Sequence, residues 1–176
     1  MALTATIYKA ELAIADIDRN YYASHNLTLA RHPSETEERL MTRLLAFILY
    51  ADERLSFGKG LSDGDEPDLW LKDYDGTIRL WIELGQPDEK QLRRAAGRAE
   101  QVVVMSYGNA GPIWWRKQQP QLARISNLVV LHLAEPAQLT PLCQRSMKLQ
   151  ATLQEGELLL TNGELSLTVN VERFQG

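Results

Sequence analysis

Cysteine is nearly absent from this 176-residue chain: Cys143 stands alone, so no disulfide can form within it. The fold must rest on an apolar core, and a chain of this length buries an adequate one. A lone thiol also suits a reducing compartment, so a cytoplasmic protein is expected. No apolar run approaches the ~18 residues that a membrane helix needs, and no membrane association is expected. Residues 1–6 show neither the basic nor the apolar stretch of a signal peptide. His25, His32 and His132 have no ligand spacing, which argues against zinc. The glycines complete no phosphate-binding or dinucleotide fingerprint. Cys143 has no evident base partner and reads as a buried or inert thiol. A basic excess is missing as well. With a net charge of −4, binding to nucleic acid would need a local basic stripe, or a metal ion offsetting carboxylates.

What is present reads as one α/β domain over residues 1–176. Residues 3–14 and 24–30 alternate as two strands around the polar bend Asp16–Asn20. Ser34 and Glu37 match a Ser-x-x-Glu capping box, and the apolar spacing from Leu40 to Ala51 predicts a helix over about 35–53. A glycine- and aspartate-rich stretch, 54–65, holds one short strand at Leu55–Phe57. Pro87 opens a second helix running to about Glu100, with Asp88 and Glu89 suiting its first turn. Val102–Ser106 and Leu128–Leu133 are buried strands either side of a short helix over 111–118. Lys148–Leu153, Glu157–Thr161 and Glu164–Val171 form a meander, with turns at Glu155-Gly156 and Asn162-Gly163. The result is a mixed central sheet flanked by helices, with an N-terminal hairpin and a C-terminal meander over about 147–173.

The segment 66–85 carries the chemistry. Asp75-Gly76 is a preferred type I′ turn, and centring the hairpin there makes paired residue numbers sum to 151. Trp70 then faces Trp81, and Asp68 faces Glu83, with Cβ atoms ~4.5–5.5 Å apart. Leu69, Leu71, Leu80 and Ile82 take the core face. Two adjacent carboxylates repel unless a proton, a basic neighbour or a cation compensates. Oxygen donors at this spacing suit Mg²⁺ or Mn²⁺, and Glu66, facing Gly85, supplies a third. The same acids also fit a solvated sheet end bridged to arginines. Trp70 and Trp81 make a stacking wall for a base or cover a helix. Trp114-Trp115-Arg116-Lys117 mixes aromatic and basic residues as single-strand binders do, and equally fits one core and one half-exposed tryptophan.

Pro67-Asp68, followed after fifteen positions by Glu83 and a strand-to-helix exit, resembles the PD-(D/E)xK nuclease signature. The element order over residues 34–106 resembles that restriction-endonuclease-like core, which would extend to about residue 133. More specifically, MALTATIYKAELAIADIDRN, LTLARHPSETEERL, YADERLSFGKGLS, DEPDLW and LWIELGQPDE resemble the YaeQ family of small bacterial proteins over nearly the whole chain. That resemblance implies a variant PD-(D/E)xK fold, without an established activity and with a suggested link to the transcription machinery.

The resemblance makes Asp68 the first metal-binding carboxylate, Glu83 the second and the Leu84 carbonyl a further ligand, with Mg²⁺ or Mn²⁺ as cofactor and nucleic acid as partner. The motif's lysine belongs at position 85, where this chain has Gly85. On the second helix Lys90, Arg94 and Arg98 form one stripe at i, i+4, i+8. Lys90 is placed to reach back to the acids, or the stripe is a solvated flank pairing with Asp88 and Glu89. Lys72, four strand positions and ~13 Å from Asp68, is a poor substitute. Many nucleases of this fold add an acid from the first helix, and among Glu35, Glu37 and Glu38 the choice here is Glu38. Two functions follow: a metal-dependent phosphodiesterase on nucleic acid or its diverged binding relative, and a non-catalytic interaction module linked to transcription elongation.

Overall fold

The computed structural model describes residues 4–59 and 65–176. Residue 3 of the first expected strand and residues 60–64 of the expected loop lie outside this set. In chain order the elements are β1 (Thr6–Asp16), β2 (Tyr21–Arg31), α1 (Glu37–Leu49), β3 (Leu55–Phe57), β4 (Leu69–Lys72), β5 (Ile78–Leu84), α2 (Glu89–Arg98), β6 (Ala99–Tyr107), α3 (Ala110–Leu122), β7 (Leu128–Leu133), a 3-10 segment Pro136–Leu142, β8 (Ser146–Gln154), β9 (Glu157–Thr161), β10 (Ser166–Val169) and β11 (Glu172–Gln175). They make a mixed α/β fold with two mixed sheets and flanking helices. Contacts divide the chain into two compact units, Met1–Met41 with Ala137–Asn170, and Thr42–Pro136 with Val171–Gly176.

The first unit holds a five-stranded sheet in the order β10-β9-β8-β1-β2. Its pairs are antiparallel except β1 and β8, which run parallel. The N-terminal hairpin and the C-terminal meander are therefore one sheet. Along β1, Tyr8, Ala10, Leu12 and Ile14 are buried while Ile7, Lys9, Glu11 and Ala13 are exposed, the one-sided habit of sheets that face water. The β8–β9 connection is a two-residue loop with positive φ at both Glu155 (54°) and Gly156 (77°), the type I′ signature. Its two N–H groups donate to the Asp18 carboxylate at 2.7 and 3.0 Å, which holds that carboxyl below its ordinary pKa. Asn162-Gly163 sits in a longer loop instead, where the Asn162 Oδ1 accepts from the Glu164 and Leu165 N–H groups.

The cap of α1 is Thr36, not Ser34. The Thr36 hydroxyl accepts the Arg39 N–H at 3.1 Å, the Ncap-to-N3 bond. Ser34 is drawn away by the His32 ring at 2.7 Å. Glu37 is thereby the first helical residue rather than half of a capping box, and α1 begins two residues later than expected.

The second unit holds a six-stranded sheet in the order β11-β7-β6-β5-β4-β3, with β5, β6 and β7 parallel. All residues from Leu80 to Leu84, Val102 to Ser106 and Leu128 to Leu133 are buried, so these strands are covered on both faces and read as continuous apolar runs. Register places Trp81 beside Val102 and Leu128, and Glu83 beside Val104 and Val130. This face packs against Leu92 and Ala95 of α2 and Leu122 of α3. The start of α2 is set by Asp88, whose carboxylate accepts the Gln91 N–H at 2.7 Å. Glu89 in its first turn and Arg98 in its last agree with the helix dipole. The chain passes from α2 into β6 without a loop. β11 was not anticipated: the last expected strand ran to Val171, but residues 172–175 pair antiparallel with β7.

Candidate functional site

The β4–β5 hairpin keeps the expected register by an unexpected route. Leu69 pairs with Ile82, Trp70 with Trp81 and Leu71 with Leu80, and all three sums are 151. The turn, however, is not a two-residue type I′ loop. The Gly76 N–H donates to the Asp73 carbonyl at 3.0 Å, the Asp73 N–H donates to the Thr77 carbonyl at 2.9 Å, and of the loop residues only Gly76 has positive φ, at 90°. This is a type I turn followed by a left-handed glycine, a three-residue loop. It shifts the outer pair to Lys72 and Ile78, and a bulge at Arg79 restores the register at Leu71. Arg79 and Arg54 both pair with Asp73, at 2.5 and 3.1 Å. That ion pairing fixes the tip.

At the other end the ladder bulges again. The Asp68 N–H donates to the Ile82 carbonyl at 3.1 Å, although Leu69 is the register partner of Ile82. Two successive residues thus address one, and Asp68 is not the ladder partner of Glu83 as expected. Its side chain reaches the end of β5 instead, where Asp68 Oδ2 accepts the Leu84 N–H at 2.8 Å.

Glu83 is 7% exposed. Its Oε1 accepts from Trp81 Nε1 at 2.9 Å and its Oε2 from Gln91 Nε2 at 2.5 Å. Both donors are neutral, and among the described residues no cation pairs with this carboxylate. Burial raises its pKa, and the negative charges of Asp68 and Asp88 push the same way against the two hydrogen bonds. Burial thus favours the neutral acid, or an anion matched by a nearby cation.

Leu84 is buried and follows Glu83 directly. Gly85 leaves the strand at φ +95°, a left-handed conformation that costs any other side chain. A Cβ there would meet no atom within 4 Å, so backbone angle rather than space disfavours a lysine. Glu66 turns toward the end of β3, where its Oε2 accepts the Lys59 N–H at 3.1 Å. Lys90 is exposed and touches neither acid among the described residues, and Glu89 pairs with Arg93 rather than with Lys90. Glu38 lies half-buried in the first turn of α1, in the first compact unit. Lys72 sits over the Trp70 ring, 3.9 Å from its centroid.

Sequence reasoning passed over Gln91 and the indole of Trp81. A signal for Gln91 was available. It precedes the buried Ala95 by four residues, so it shares the inward face of α2, whereas Lys90 shares the outward face of Arg94. Trp70 and Trp81 meet edge to face, with centroids 6.0 Å apart, and the Arg98 guanidinium lies 4.9 Å from the Trp81 ring centroid. Trp81 is therefore a core residue and a hydrogen-bond donor to Glu83 at once. The Trp114 indole N–H donates to the Pro87 carbonyl at 2.9 Å and pins the start of α2. A second buried polar group lies on the same face of the sheet. Ser106 Oγ meets His132 Nδ1 at 3.0 Å and Gln86 Nε2 at 3.3 Å. His132 is stacked on Phe174 at 5.0 Å, and burial lowers its pKa. Gly111 packs on this pair so closely that a Cβ would fall 2.4 Å from Ser106 Oγ. Cys143 is half-buried, and burial pushes its thiol up to about 11, which favours the protonated form.

The YaeQ protein family model matches residues 1–171. The chain belongs to the YaeQ family. It is 48% identical to the uncharacterized YaeQ protein of Salmonella typhi, over 99% of this chain and 98% of that one. The uncharacterized YaeQ protein of Escherichia coli K12 is 46% identical over the same shares. The crystal structure of YaeQ from Xanthomonas axonopodis pv. citri superposes with a TM-score of 0.95 at 49% identity, covering 98% of this chain and 99% of that chain. YaeQ from Pseudomonas syringae gives 0.93 at 37% identity, covering 98% and 97%. The family's fold thus extends over nearly all of this chain.

Proposed function

We propose that Asp68 and Glu83 form a divalent-cation site of the PD-(D/E)xK kind, serving a phosphodiesterase on nucleic acid or its diverged binding relative. One observation carries this reading: a buried carboxylate, Glu83, is held by two neutral donors beside a second carboxylate, with no protein cation paired to it among the described residues. The donor set fits a hard cation, Mg²⁺ or Mn²⁺. Asp68, Glu83 and the Leu84 carbonyl all offer oxygen. Among the described residues no three His, Cys, Asp or Glu side chains converge, so the protein would supply two carboxylates and a carbonyl and leave the remaining positions to water and substrate.

When bound, the ion supplies Lewis-acid stabilisation and a more acidic water. The chain's own residues orient the ligands. Trp81 and Gln91 fix the Glu83 carboxylate from the strand and from α2, and the Leu84 N–H fixes Asp68. Among the described residues the motif lysine has no counterpart in contact with Glu83, where Gln91 stands instead. Titration calorimetry with Mn²⁺ should show binding by the wild type that Asp68→Ala removes. Equal, negligible heats in both would sink the reading.

Gly85 favours a second reading, a non-catalytic interaction module linked to the transcription machinery. Its left-handed backbone selects against the lysine that the chemistry uses. Mg²⁺-dependent cleavage of an oligonucleotide, abolished by Glu83→Gln, would eliminate this alternative.

A further inference from the structure

The net charge of −4 conceals a strong asymmetry. Residues 86–127, which contain α2, β6 and α3, hold seven Lys or Arg against three Asp or Glu. The rest of the chain holds twelve against twenty. One segment is therefore +4 in a protein that is otherwise −8. From Ala110 to Asn127 there is no acidic residue at all.

The structure concentrates this charge on one layer. α2 and α3 pack side by side on the same face of the six-stranded sheet, through Leu92, Ala95 and Leu122, and the Trp114–Pro87 hydrogen bond ties them together. Their outward side chains include Lys90, Arg94, Arg116 and Lys117, all exposed, with exposed Arg124 just past α3. None of the five has an ion-pair or side-chain hydrogen-bond partner among the described residues. The other α2 arginines are engaged: Arg93 with Glu89, and Arg98 with the Asp65 carbonyl and the Trp81 ring. Elsewhere in this unit Arg54 and Arg79 pair with Asp73, and Arg79 also with Glu100. Unpaired cations on a surface repel one another and gain from a polyanion that releases its counterions on binding.

We infer that the outer surface of α2 and α3 is a docking surface for the phosphodiester backbone of a nucleic acid. It adjoins the acids through α2, whose inward Gln91 contacts Glu83 while its neighbour Lys90 faces outward. The inference rests on the cation-site reading only for the reason a nucleic acid would be bound. Binding itself needs no metal. Backbone contacts made by lysine and arginine on helix surfaces carry no base readout, so single strands and duplexes are both candidate ligands and sequence preference is weak.

The test is fluorescence anisotropy in EDTA at low salt, with labelled single-stranded and duplex oligonucleotides of mixed sequence. Arg94→Glu/Lys117→Glu should weaken binding of at least one form by about ten-fold or more, and should flatten its dependence on salt. Lys9→Glu/Lys148→Glu makes the same change in net charge on the exposed face of the five-stranded sheet, and should change binding less than about two-fold. Thermal unfolding of both variants checks that they fold. The assay contains no free divalent ion, so a cation site that fails in calorimetry leaves its outcome unchanged, and a failed cation site and a failed docking surface give different results. Equal losses in the two double variants would overturn the inference. So would absence of oligonucleotide binding by the wild type, or displacement of the oligonucleotide by polyglutamate at equal charge concentration, which would mark a surface for acidic protein.

Discussion

Along β1 every second side chain from Ile7 to Ala13 reaches solvent, whereas from Leu80 to Leu84 no residue of β5 does. The carboxylates of the two regions follow suit. Asp18, at an exposed turn of the five-stranded sheet, accepts two backbone N–H groups and has its pKa lowered. Glu83, inside the doubly covered sheet, also accepts two hydrogen bonds, yet its pKa is raised by burial. Equal numbers of donors give opposite shifts because water reaches one acid and not the other. A hydrogen-bonded carboxylate is thus not by itself a charge-compensated one, and the member of this pair whose charge burial opposes is the one beside Asp68.

The contrast between the sheets is broken most strongly at Ile82, which is fully buried. Ile82→Ala should cost about 2–5 kcal/mol in denaturant unfolding, while Thr152→Ala, on the more open sheet, should stay within about 0.5 kcal/mol. Comparable losses would mean that the two sheets are equally packed. Gly85→Lys restores the motif residue against a positive φ and should cost about 1–3 kcal/mol. A variant as stable as the wild type would show that the exit of β5 relaxes freely.

The next two effects concern pH. The folded-state pKa of Glu83 is raised, so folding favours its protonated form. Stability from this group is full below its ordinary carboxylate range and is lost as pH rises through the raised value. Melting temperatures across pH should show Glu83→Gln gaining on the metal-free wild type as pH rises, and a constant offset would remove the argument. Asp18 has the reverse sign. Its contribution is present above its ordinary range and disappears as pH falls through the depressed pKa. Asp18→Ala should therefore be less stable than the wild type at neutral pH and converge with it in acid. This is the smallest of the four effects, because the group is fully exposed.

Much of the fold was legible where a signal is local. β3, β7 and β9 occupy the residues that alternation or apolar runs mark, and Pro87 with Asp88 announces α2. Pairings between distant segments were not. Nothing near β1 records that it runs parallel to β8, and nothing in Glu172–Gln175 records that it joins β7. At the candidate site the two acids were visible because they flank one hairpin. Gln91 was missed because its role depends on which way an α2 side chain points, although helical phase already set Lys90 on the outward face. The cap at Thr36 was misplaced because the His32 ring competes for Ser34, a contact that no spacing rule contains.

The tip of the β4–β5 hairpin has a consequence for how this protein can change. Eight residues separate Leu71 from Leu80. A three-residue loop with a bulge at Arg79 uses all eight, and so does a two-residue loop without one. The two arrangements are isomers of equal length, and exchanging them leaves Leu71 opposite Leu80 and everything beyond unmoved. Mutations at the tip can therefore drift between turn types without transmitting an error to Asp68, and the hairpin insulates its acidic end from its tip.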